Sequence, residues 1–162
     1  MKEYTPLGKK SKSYLVVYIV TLLICVAVSI LLFIPAINSI QNDKVNVTYL
    51  VIAILFCIID FILLYYLFNY LMKPEVLIEY NNQGIKIHKN KMKEIVINIH
   101  EIRDTSFMFT PLSIVLPTTG NVIIKTKDNK SYNIGYIVDY TSVERSIAAM
   151  KKVSEVIDNE KI

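Results

Sequence analysis

Few side chains in this chain are placed to do chemistry. The first is Asp60, the one charge in an apolar run from Val47 to Leu71. Bringing a carboxylate to the middle of a bilayer costs about 2.5–3.5 kcal/mol on insertion scales, so the group needs a role. It can relay ions or protons, or it can hold two helices together. A relay needs a chain of partners, and the sequence shows none, which favours the helix contact. The second set is basic: Lys86, Lys89, Lys91 and Lys93, with His88, in the segment IKIHKNKMK. Ammonium groups beside a membrane attract anionic headgroups at about 1 kcal/mol each. Equally, a loop rich in Lys and Asn is an ordinary solvated hairpin. No Arg stands among these lysines, so a fork-shaped phosphate grip is not expected.

Other chemistry is thinner still. His88 and His100 stand apart from each other and from any ligand cluster, and Cys25 and Cys57 lie inside apolar runs, where buried free thiols are expected. With no CxxC or Cys/His spacing, no metal site is expected. The sequence contains no GxGxxG, phosphate-loop, GxSxG or HExxH pattern, and its carboxylates are scattered. The expectation is a chain without catalytic residues, cofactor or metal. The formal net charge of +4 gathers near the start, where Lys2, Lys9, Lys10 and Lys12 face Glu3 alone. Residues 73–162 carry 13 Lys/Arg against 11 Asp/Glu, too even a balance for a nucleic-acid binder.

Two stretches must position Asp60 and its neighbours. Tyr14–Ile34 is 21 residues without a charge, closed by Pro35, and Val47–Leu71 is 25 residues. Each is long enough to cross the ~30 Å hydrocarbon core of a bilayer. A signal peptide would also begin basic, but its apolar core runs only about 7–15 residues and a small-x-small site follows it. The first stretch is therefore read as a membrane helix. Ala36–Asn46 is a short polar link between antiparallel helices. Residues 1–13 read as a basic tail, in which Lys9, Lys10 and Lys12 are a topology signal or a further contact with anionic lipid. With Lys73 just past the second helix, the positive-inside rule puts both ends in the cytoplasm of a multi-pass cell-membrane protein. A hairpin closed by that link pairs residues whose numbers add to about 81. Asp60 then lies level with Thr21, Cys57 with Cys25, and Ala53 with Ser29. Small and hydroxyl residues on facing stripes let such helices approach and give a polar group a partner.

Past Lys73-Pro74 the periodicity changes. Glu75–Tyr80 and Ile85–His88 read as strands around an Asn-Asn-Gln-Gly turn. Lys93–Ile99 and Arg103–Thr110 read as two more. Leu112–Leu116, between prolines, reads as an edge strand or loop. Asn121–Lys127 and Lys130–Tyr136 flank a tight Asp128-Asn129 turn. Thr141-Ser142-Val143-Glu144 has capping-box form, and Val143, Ile147, Met150, Val153 and Ile157 mark one face of a closing helix.

This order, carried by Asn82-Gln83-Gly84-Ile85, His100-Glu101-Ile102, the strand Gly120–Thr126, the Asp128-Asn129-Lys130 turn and the entry from Tyr136-Ile137 to Val143, resembles the membrane-anchored bacterial pleckstrin-homology proteins. The resemblance covers residues 14–157. It implies an α+β membrane protein: a transmembrane hairpin (helices 14–34 and 47–71), then a PH-like bent antiparallel sheet or partly open barrel over 73–158, capped by a C-terminal helix. It implies a non-enzymatic interaction module, scaffolding or self-assembling, with membrane lipids, a second copy or another membrane protein as partners. Tolerance of membrane-active peptides is an alternative role. A small ion-relaying or transporter-associated oligomer using Asp60 is another.

Overall fold

The computed structural model describes residues 3–41, 47–110, 113 and 116–159. They form two compact units, one of Lys12–Leu71 and one of Met1–Ser11 with Met72–Ile162.

The first unit is a helical hairpin of α1 (Lys12–Gln41) and α2 (Val47–Met72). Both helices are long and apolar enough to span a membrane, over Lys12–Asn38 and Val47–Met72. Neither has a polar face. Leu23, Leu31 and Phe61 stand 65%, 67% and 73% exposed, an apolar surface compatible with a pair of membrane-spanning helices. Pro35, expected to end the first helix, lies inside α1. A proline is tolerated in a long apolar helix of this kind where local backbone adjustment accommodates the missing N–H. The expected link over Ala36–Asn46 thus loses its first residues to α1, and residues 42–46 lie outside those described.

The second unit begins before the hairpin. Thr5–Lys9, expected as part of a tail, forms strand β1 and pairs antiparallel with β2 (Val76–Asn81), from Thr5 opposite Tyr80 to Lys9 opposite Val76. Its cue is weak: Pro6 and Gly8 flank Leu7, the one residue packed against the core. The chain continues through β3 (Gly84–Asn90), β4 (Lys93–Asn98), a 3-10 turn at Ile99–Glu101, β5 (Ile102–Met108), β6 (Thr119–Thr126) and β7 (Ser131–Val138) to α3 (Tyr140–Asn159). The strands make two antiparallel sheets, β1-β2-β3-β4 and β5-β6-β7. Lys10 bridges to Ile137, and the Ser11 amide donates to the Tyr136 carbonyl at 2.8 Å, so one sheet edge is joined to the other. β4 and β5 belong to different sheets and the arrangement is not closed into a barrel. The region Leu112–Leu116 falls largely outside the described residues; there, Ser113 donates to the Thr119 carbonyl at 2.8 Å.

Alternation fills the space between the sheets. Leu77, Ile78, Ile85, Ile87, Ile102, Val122, Ile124 and Ile137 are all within 1% of complete burial. Each such side chain contributes about 1.5–3 kcal/mol relative to exposure. α3 closes the core with Tyr140, Val143 and Ile147, and Met150 packs beside them. The helix starts one residue before the expected Thr141. The Asp139 carbonyl receives the amides of Ser142 and Val143, and Asp139 has a φ of 50°, so Asp139 makes the entry turn. Gly84 is fixed by contact, since a Cβ there would lie 2.3 Å from the Ile97 carbonyl oxygen across the β3–β4 pairing.

Candidate functional site

In the hairpin, the Ser29 hydroxyl donates to Asp60 Oδ2 at 2.8 Å. Farther along, the Tyr18 and Tyr70 rings lie 6.3 Å apart. These pairs set the register at residue numbers adding to 88–89, not 81. Asp60 therefore meets Ser29 and not the level of Thr21, and Cys25 and Cys57 do not share a level. The offset follows from Pro35: with α1 running on to Gln41, the turn is centred later in the chain. The same register brings Ala36 and Ala53 level, and they are 1% and 0% exposed. Ala36, Ser29, Ala53 and Asp60 are thus the small and polar residues along the seam. Thr21, Cys25 and Cys57 are half-buried, and both cysteines are free thiols. Asp60 Oδ1 is buried without a hydrogen bond among the described residues.

On the outer face of the first sheet, register neutralises part of the basic segment. Lys86 lies opposite Glu79 and Val96, and His88 opposite Glu94. Lys86 pairs with Glu94 at 3.0 Å and stands over the Tyr4 ring at 5.1 Å. His88 Nδ1 faces Glu94 at 3.2 Å. Its Nε2 lies 3.2 Å from Glu79, close enough for an ion pair but without hydrogen-bond geometry. The Glu94 bond holds the Lys86 ammonium above its usual range and the Glu94 carboxyl below its own. Lys86 is therefore a structural cross-strand partner.

The other lysines behave differently. β1 ends, β2 begins and β3 turns into β4 at one place, which is where the chain leaves for α1 and returns from α2. There the Lys10 ammonium donates to the Lys73 carbonyl at 2.7 Å, the Lys73 ammonium reaches the Lys89 carbonyl at 3.4 Å, and the Lys91 amide donates to the Met72 carbonyl at 3.3 Å. Half-buried Lys73 is pushed below the usual lysine range by burial first, then by Lys10 and Lys89. Lys10 is lowered by burial and by Lys91, with Glu75 opposing. The structure thus brings Lys10, Lys89 and Lys91 together around Lys73, while Lys9, Lys12 and Lys93 are exposed.

A strand irregularity completes this corner. Between Gly120 and Val122 the pairing of β6 with β7 slips, leaving Gly135 and Tyr136 as a bulge. Tyr136 adopts φ 70°, a conformation rare for a bulky side chain. The bulge presents its carbonyl to Ser11 and sets its ring 5.7 Å from the Lys73 ammonium, within cation–π range. Sequence reasoning took Lys73 only as a topology signal and gave Tyr136 no role. The period-2 placement of Glu79 and Glu94 opposite the basic strand was the available signal for separating Lys86 from Lys89. Among the described residues, no group of three or more His, Cys, Asp or Glu side chains is placed to hold a metal ion. Comparison of the chain with protein-family models and with curated proteins finds no match.

Proposed function

We propose that this chain is a membrane-anchored interaction module, non-enzymatic, whose PH-like β unit is held on the cytoplasmic face with both termini beside it. The observation that carries the reading is the pairing of β1 with β2 across the hairpin. A strand that precedes two membrane-length helices and a strand that follows them sit side by side, which supports a hairpin whose two ends emerge on one side. The lysines gathered at those ends support the cytoplasmic side by the positive-inside rule. The bent two-sheet core capped by α3 supports the PH-like assignment. The Ser29–Asp60 bond supports a helix-contact role for Asp60.

The test has two parts. Single cysteines at Lys9 and at Lys130, in a chain with Cys25 and Cys57 replaced by Ser, should resist a membrane-impermeant thiol reagent in intact cells and react after lysis. Labelling of either in intact cells removes the cytoplasmic assignment. Cross-linking in native membranes should then yield a discrete adduct, either a second copy or another membrane protein. A chain that stays strictly monomeric and alone counts against the interaction module.

A further inference from the structure

Between β3 and β7 lies a cavity of about 90 Å³ whose polar lining is Lys73, His88, Lys89, Ser131 and Asn133. That is well above the ~10–15 Å³ a single water needs, and it leaves room for a tetrahedral oxyanion. The available groups are mainly donors: two ammonium groups, a hydroxyl and a carboxamide. His88 supplies a wall, since both of its nitrogens face Glu79 and Glu94. Lys73 is the telling member. It is half-buried, no carboxylate figures among the groups acting on it, and its carbonyl contact of 3.4 Å is longer than a good hydrogen bond. The nearby carboxylate is that of Glu75, which acts on Lys10. Burial and like charge lower the Lys73 pKa, and an anion in the cleft would relieve both.

We propose that the cleft between β3 and β7 binds a single phosphate group, belonging to an anionic phospholipid headgroup or to free phosphate. Lys73 and Lys89 supply charge, and Ser131 and Asn133 supply hydrogen bonds. Only the lipid source rests on the membrane-anchored reading. The test uses the full chain in uncharged detergent, following its thermal unfolding midpoint against short-chain phosphatidylglycerol, short-chain phosphatidylcholine and inorganic phosphate. Phosphatidylglycerol should raise the midpoint and phosphatidylcholine should not. Lys73→Met should weaken apparent affinity about tenfold or more, as expected for a lost charge-assisted bond. Ser131→Ala with Asn133→Ala should weaken it less, and Lys93→Met less than about twofold, as for an exposed charge. Lys73→Met also gives up the contact with the Tyr136 ring; the Ser131→Ala with Asn133→Ala chain keeps Lys73 and that contact, so its weaker response reports lost binding rather than lost packing. Full protection by inorganic phosphate, with nothing added by the lipid, assigns free phosphate as the ligand. The proposal is overturned if neither probe raises the midpoint, or if the response survives in Lys73→Met. Alkaline extraction of membranes tests the anchoring separately, and chain released into the supernatant would remove the lipid source while leaving the phosphate titration to stand.

Discussion

The hairpin and the β unit arrange the same kinds of residue in opposite ways. The β unit buries its large aliphatics, with Ile85, Ile124 and Ile137 at 0% exposure, and turns its charges outward. The hairpin turns Leu31 and Phe61 outward and keeps Ala53 and Ser29 at 0% and 6%. In water, burying a large side chain is the driving force, so large residues go inside. In hydrocarbon that force between helices is absent, and close approach and hydrogen bonds hold the contact instead. Small and polar residues therefore go inside. What each unit hides therefore fits water around the β unit and is compatible with hydrocarbon around the hairpin.

Substitutions can break this contrast or sharpen it. The largest effect is expected for Ile124→Ala, which should cost the β unit about 2–5 kcal/mol in denaturant unfolding. Leu31→Ala on the hairpin surface should leave the same transition within about 0.5 kcal/mol. Equal losses would erase the distinction between the units. Gly84→Ala forces a methyl into the Ile97 carbonyl and should destabilise the β unit by about 1–3 kcal/mol, read in the same experiment. Within the hairpin, Ser29→Ala should weaken helix association by only about 0.6 kcal/mol, the usual value for a hydrogen bond in a membrane, and Asp60→Asn should keep the Ser29 bond. A hairpin that falls apart on Ser29→Ala would mean that its seam depends on one polar pair.

The smallest effects are those of pH. Hydrogen bonds from Lys130 first and then Thr126 hold the exposed Asp128 carboxyl down at about 2 against an ordinary 3.8. A carboxyl lowered on folding stabilises above its unfolded pKa, so this contribution should fade as pH drops from 3.8 towards about 2. Asp128→Asn should flatten the β unit's stability profile over that window. The lowered lysines act with the opposite emphasis. Lys73 and Lys10 oppose folding while charged, so stability should rise as pH climbs through their lowered values towards 10.5. Lys73→Met should remove part of that rise.

Much of this was legible in the sequence. The helices announced themselves by length, and the strands by the change of period after Lys73-Pro74. Helix register is not legible, because Pro35 reads as a stop while α1 carries it in its interior and moves the turn. β1 was invisible for a different reason: its partner lies on the far side of the hairpin, and Leu7 alone marks its inner face. The candidate site was half visible. Lys89 and Lys91 read as part of one charge run with Lys86, and strand register separates Lys86 from them. No local rule points to Tyr136 at positive φ.

The pairing of β1 with β2 has a consequence for how the protein is made. Thr5–Lys9 cannot find its neighbour β2 until both long helices have been synthesised, which at about 5–20 residues per second takes seconds. During that interval Thr5–Lys9 waits as an unpaired segment. A copy whose second helix failed to return would have β1 and β2 on opposite sides of the bilayer, leaving the β2 edge bare and the Leu7 socket empty. If the hairpin inserts as proposed, the pairing of β1 with β2 depends on the second helix having returned to the side from which the first one left.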